Sequence, residues 1–129
     1  MNKIIIEVSI GELLDKISIL EFKQEKIKDP EKLKFINNEH SILKSQLEGN
    51  VTSNKKLDSL YQSLKEINAK LWVIEDNKRQ CEKDKDFGEK FIKLSRDVHF
   101  LNDNRAKIKL DINNDTGSAI KEIKEYTSY

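Results

Sequence analysis

Three arginines, Arg79, Arg96 and Arg105, stand among 24 basic residues, so lysine supplies the other 21 positive charges. Lysine serves wherever a point charge is enough. Arginine adds a rigid, planar fork that matches a carboxylate or phosphate, so its few positions mark where geometry could matter. At 100° per residue Arg105 falls inside an apolar stripe of Val98, Leu101, Ile108 and Ile112. Lys109 lies one turn further on that side and Asn102 one turn back. Two cations and an amide on one face require an anion to answer them, either a carboxylate of the chain or a bound ligand. Glu21, on the Leu14, Ile17 and Leu20 face of another helical segment, is the best internal candidate, with Gln24 one turn beyond it.

Other polar positions are weaker. Glu75 and Arg79 stand four residues apart in the favourable order for a helical ion pair worth about 0.3–0.5 kcal/mol. Beside them Trp72 reads as a large residue at the core edge, with a stacking platform as the rival reading. Arg96 points away from the core near Asp103. His40 lies on an apolar face with no Ser or Cys nucleophile placeable beside it, so it reads as a hydrogen-bonded core histidine. No Gly-rich phosphate loop, nucleophile elbow or HExxH motif occurs, and any pair chosen from 23 carboxylates would be arbitrary. No catalytic residue is therefore assigned, and the chain reads more as a non-enzyme than an enzyme. One cysteine, Cys81, and two histidines without ligand spacing give no zinc site, and no cofactor is implied.

The elements that must position these groups are helices. Charged residues make up 36% of 129 positions, while four glycines and one proline leave little for loops. Ser9 with Glu12 is a capping box that opens a helix over 9–28, faced by Ile10, Leu13, Leu14, Ile17, Leu20 and Ile27. Asp29-Pro30 closes it and opens a second over 30–48, with Leu33, Ile36, His40, Leu43 and Leu47 in 3,4 spacing up to Gly49. A long third helix over 54–83 carries a coiled-coil-like seam from Leu57 to Cys81, broken only by Lys78. A fourth over 87–114 starts at a capping-box-like Asp86 and Glu89 and carries Phe91, Leu94, Val98, Leu101, Arg105, Ile108 and Ile112. The β-branched run at 3–8 predicts a short strand, and Thr116-Gly117-Ser118 a break before a short helix over 118–126 docked by Ile120 and Ile123. The expected fold is one all-α domain over 1–129, two antiparallel helical hairpins forming a four-helix bundle whose third and fourth helices overhang the first two.

Phe35 and Ile42 on the back of the second helix, and Ile92, Phe100 and Leu110 on the back of the fourth, predict a homodimer. Formal net charge is +1, so no global field draws in nucleic acid. No apolar run approaches the roughly 20 residues of a membrane span, and nothing at the start reads as a secretory leader, so a cytoplasmic address is expected.

Val8 to Glu21 (VSIGELLDKISILE), Asp29 to Leu33, Leu71 to Asp76 and Asn102 to Lys109 carry a resemblance to an uncharacterised family of small bacterial all-helical proteins associated with glycosyltransferase and surface-polysaccharide genes. The similarity extends over nearly the whole chain. It implies a surface-glycan context and a protein partner there, but no chemistry for any residue. Two functions follow as expectations. One is a non-catalytic accessory or scaffold in surface-glycan assembly. The alternative is a protein or enzyme that binds a small carboxylate or phosphate metabolite at a cationic site built from Arg105, Lys109 and Asn102, with Glu21, Arg79, Glu75 and Trp72 around it.

Overall fold

A computed structural model describes residues 2–129, in which four helices hold the fold: α1 (Ile10–Lys26), α2 (Pro30–Asn50), α3 (Lys55–Asp84) and α4 (Glu89–Thr116). Their starts are set locally. Ser9 Oγ accepts from the Glu12 backbone N–H at 3.0 Å, Asp29 Oδ1 from Glu31 at 3.0 Å, and Asn54 Oδ1 from Leu57 at 2.9 Å. Each bond satisfies one of the donors that a helix start leaves free. Pro30 occupies the first turn of α2, where its missing N–H costs nothing. α4 starts differently from the expectation. Its N-cap is Gly88 without a side-chain bond, and Oδ1 of Asp86, two residues before that cap, accepts from the Gly88 N–H. Gly49 does not stop α2, which runs to Asn50 and is capped at Val51.

α3 and α4 form the long hairpin and α1 lies against both, while α2 packs on α1. Glu21 reaches Tyr61, and its neighbour Phe22 stacks on Trp72 with ring centroids 5.3 Å apart. Tyr61 and Trp72 are about 16 Å apart along a helix axis, so α1 crosses α3 steeply rather than running beside it. The core cluster is Leu14, Leu57, Leu64 and Ile112, with Leu47 and Val51 closing it from the end of α2. Ile17 and Leu20 of α1, and Leu71 and Cys81 of the α3 seam, are also buried.

Two expected elements are absent among the described residues. Residues 3–8 form no strand. Ile4 and Ile5 are 90% and 85% exposed, because a strand needs a ladder partner and the helices offer none. The helix over 118–126 is also missing. Gly117 takes a left-handed φ of 66° and terminates α4, after which Ser118 is committed on both sides: its Oγ accepts from the Ile10 N–H at 3.0 Å and donates to Ile120 O at 2.7 Å. A nine-residue helix is marginal alone, and Ile123, meant to dock it, is 76% exposed. The tail instead lies on α4, where Tyr129 packs against His99 and Phe100 and its hydroxyl donates to Asp103. No helix of the described residues is long and apolar enough to cross a membrane.

Candidate functional site: a charge cluster and the groove beside it

The N-terminus of α1 abuts the C-terminus of α4, and each of its first three N–H groups finds an oxygen. Ile10 donates to Ser118, Gly11 to Asn113 Oδ1 at 2.7 Å, and Glu12 to Ser9. The approach is close because residue 11 has no side chain. A Cβ there would sit 2.6 Å from the Lys109 carbonyl oxygen.

This docking brings α1 carboxylates to α4 cations. Asp15, 2% exposed, takes Arg105 Nη2 at 3.1 Å and Lys109 Nζ at 3.7 Å on Oδ2, while its Oδ1 accepts from Asn68 Nδ2 at 2.8 Å. The Asn68 amide also donates to Ser18 Oγ at 2.8 Å, and that hydroxyl donates to Asp15 O. Lys109 Nζ meets Glu12 at 2.6 Å and Glu122 of the tail at 3.4 Å. Burial by itself would lower the Lys109 pKa, but the Glu12 hydrogen bond and the charges of Asp15, Glu12 and Glu122 outweigh it and raise the group above its ordinary value. The Lys124 hydrogen bond and the Lys109 charge hold Glu122 below the usual carboxylate range.

Arg105 is part-buried, with 29% of its side chain exposed, and its partner is Asp15 and not Glu21. Glu21 serves a separate cluster. Its carboxylate accepts from the Tyr61 hydroxyl, meets His40 Nε2 at 3.0 Å and lies 3.6 Å from Lys65 Nζ. Burial alone would raise its pKa, but the bonds from Tyr61 and His40 and the charges of Lys65 and Lys44 hold it below the ordinary value. Tyr61 moves upward, through burial first and then the Glu21 bond and charge. His40 is thus hydrogen-bonded, as its position predicts, but it is half-buried on α2 and not in the core.

A pH dependence follows. A carboxylate with a depressed folded pKa contributes stability above its unfolded value, about 4.3 for Glu, and loses it as pH falls through the folded value. Wild-type stability is expected to drop below about pH 4.3 more steeply than that of Glu21→Gln in parallel urea titrations. Equal acid slopes would contradict the assignment. Lys109 and Tyr61, both raised, contribute below about pH 10 and lose that contribution as pH rises further.

The remaining predicted site residues gather on two sides of Arg105. Asn102, Arg105 and Lys109 line a polar cavity of about 190 Å³ with Lys124 and Tyr126 of the tail. On the other side Arg105, Trp72, Glu75 and Arg79 line a groove of about 480 Å³ with Asn68 and Asp76. Glu75 and Arg79 form the expected i,i+4 contact, at 3.4 Å and well exposed. Trp72 is 41% exposed, so it has a free surface as well as its packing on Phe22. Arg96 stands over the Phe100 ring at 5.8 Å, while Asp103 goes to Tyr129.

Asp15, Ser18 and Asn113 are members of the cluster that one apolar face per helix does not reveal. A signal for the first two exists: Gly11, Asp15 and Ser18 repeat at 4,3 spacing, which traces a second stripe of small and polar residues beside the apolar one on α1.

These features define an all-helical protein whose polar centre is an ion cluster between α1 and α4. The chain belongs to the family of unknown function DUF6165, whose pattern matches residues 4–129. Comparison with curated proteins and with solved structures gives no match.

Proposed function

We propose that this chain is a non-catalytic accessory or scaffold protein of the cytoplasm that works as a homodimer, with surface-glycan assembly as its setting and a protein of that process as its partner. The observation that carries the non-catalytic part is the closure of the Arg105 site: Asp15, Glu12 and Glu122 already answer Arg105 and Lys109. A cluster whose charges are mutually satisfied holds helices in register and has little left for a reacting group. Apolar surface supports the dimer. No residue of α2 is buried, and Phe35 and Ile42 are 76% and 54% exposed. Val73, Ile74, Phe100 and Leu101 line a groove of about 620 Å³ along the outside of the α3/α4 hairpin. Patches of this kind mark association surfaces on soluble proteins. The glycan setting rests on the resemblance carried by Val8 to Glu21 and the other matched strings. Mass in solution tests the dimer: twice 15.1 kDa is expected by sedimentation equilibrium, and a monomer at the highest attainable concentration contradicts it.

A second reading, a site for a small carboxylate or phosphate metabolite, is favoured by the cavity that Arg105, Lys109 and Lys124 share under the tail. There an anion would compete with Glu122, held to Lys109 at only 3.4 Å. At 100 times its dissociation constant a ligand adds about 2.7 kcal/mol of stability. A raised melting temperature in phosphate or citrate supports this reading, and no shift in either counts against it.

A further inference from the structure

We propose that the groove between α1, α3 and α4 beside Trp72 is a binding site for a neutral pyranose sugar. Three observations carry it. Trp72 is the only tryptophan of the chain and keeps 41% of its surface exposed at the groove, while Phe22 packs against it at 5.3 Å and limits how its ring can turn. An indole held this way offers an apolar platform with a polar surround, and the C–H face of a pyranose ring is a flat apolar surface of matching size. Ile19 and Leu71 extend that platform as the apolar part of the groove wall.

The polar lining decides the ligand class. Glu75 and Asp76 bring two negative charges and Arg79 and Arg105 two positive ones, so the lining sums to zero. A phosphate or carboxylate gains nothing from the two cations that it does not lose to the two carboxylates, and one of those cations is already paired with Asp15 at 3.1 Å. A sugar hydroxyl both donates and accepts. It can donate to Glu75 or Asp76 and accept from a guanidinium, so a ring carrying several hydroxyls can use both signs of charge in the lining. Arg105 is the rigid donor of the set. Asp15 holds it from the core side through Nη2, and a guanidinium has five N–H donors, so further donors are left for the groove. The volume of about 480 Å³ lies in the range of small-molecule sites.

This proposal goes beyond the scaffold reading and stands apart from it, since the mass of the protein and the occupancy of the groove are read by different measurements. The single tryptophan makes the test direct. Intrinsic fluorescence of the full chain is titrated with the methyl glycosides of glucose, galactose, mannose, rhamnose and N-acetylglucosamine, each to about 50 mM, the range of weak monosaccharide binding. Glycerol, inorganic phosphate and AMP are titrated in parallel. A saturable change with at least one glycoside and none with glycerol is expected. Asp76→Asn should weaken that binding about tenfold, the cost of one hydrogen bond to a charged group, with the melting temperature unchanged because Asp76 is exposed. Calorimetric titration of Trp72→Leu, which lacks the reporter, should show no binding. The proposal is overturned by no saturable change with any glycoside, by a saturable response to phosphate or AMP alone, or by undiminished affinity in both variants.

Discussion

Replacing Asp15 by alanine is expected to destabilise the protein by about 3–5 kcal/mol, the cost of leaving a buried charge without its partner. For a chain of this length that lowers the melting temperature by roughly 10–20 °C. The size follows from what Asp15 touches. Its carboxylate is buried at 2% exposure and meets Arg105, Lys109 and Asn68 together, so one truncation removes an acceptor from all three. Lys109 is buried too and would keep only Glu12 and a tail carboxylate. Removing a cation instead should cost less. Arg105→Ala leaves Asp15 with Lys109 and Asn68, and the lost side chain is 29% exposed, so water would fill part of its place. Urea melts of the two variants test this order, and an Arg105→Ala cost equal to or above that of Asp15→Ala would contradict it.

The second large effect has an unusual sign. Gly to Ala inside a helix ordinarily stabilises by about 0.5–1 kcal/mol, because alanine has less backbone freedom to lose. At position 11 the reverse is expected, a net loss of about 1–3 kcal/mol. The added Cβ would stand 2.6 Å from the Lys109 carbonyl oxygen and 3.0 Å from Asn113 Oδ1. The first of these is backbone, which no rotamer change can move, so α1 must back away from α4 and stretch the 2.7 Å bond from Gly11 to Asn113. The same shift pulls Glu12 and Asp15 from Lys109. For that reason Gly11→Ala and Asp15→Ala should cost less together than the sum of their separate costs. A more stable Gly11→Ala protein would show that the two helices do not meet as closely as described.

What could be read from the sequence was what neighbouring residues decide. Ser9 and Asp29-Pro30 cap their helices because a cap is a bond across two or three positions of the same chain. The four helices are legible for the same reason, and so is the place of Arg105 beside the apolar stripe of α4. Its partner is not. A helical wheel gives the face of one helix and says nothing of which neighbour that face meets. Asp15 and Glu21 are six residues apart, about 120° around α1: Glu21 lies within the apolar stripe, between Leu14 and Ile17, and Asp15 lies outside it, beyond Leu14. Because α1 crosses α3, Asp15 meets α4 and Asn68, while Glu21, six residues further along, meets His40 and Tyr61. Either carboxylate could have answered Arg105 until that crossing was known. The missing strand and terminal helix failed by the same logic in reverse. Residues 3–8 and 118–126 have the local composition of a strand and a helix, but each needs a surface that the other helices do not present, and Ser118 is drawn off to cap α1.

The central claim is that Arg105 is fixed by Asp15, as an internal structural pair. A double-mutant cycle between them, Asp15→Ala, Arg105→Ala and both together, measured by urea unfolding, tests it most directly. A coupling of about 1–3 kcal/mol is expected, the range for residues in one ion network. Additivity within about 0.5 kcal/mol would contradict it and would return Arg105 to the solvent or to a ligand.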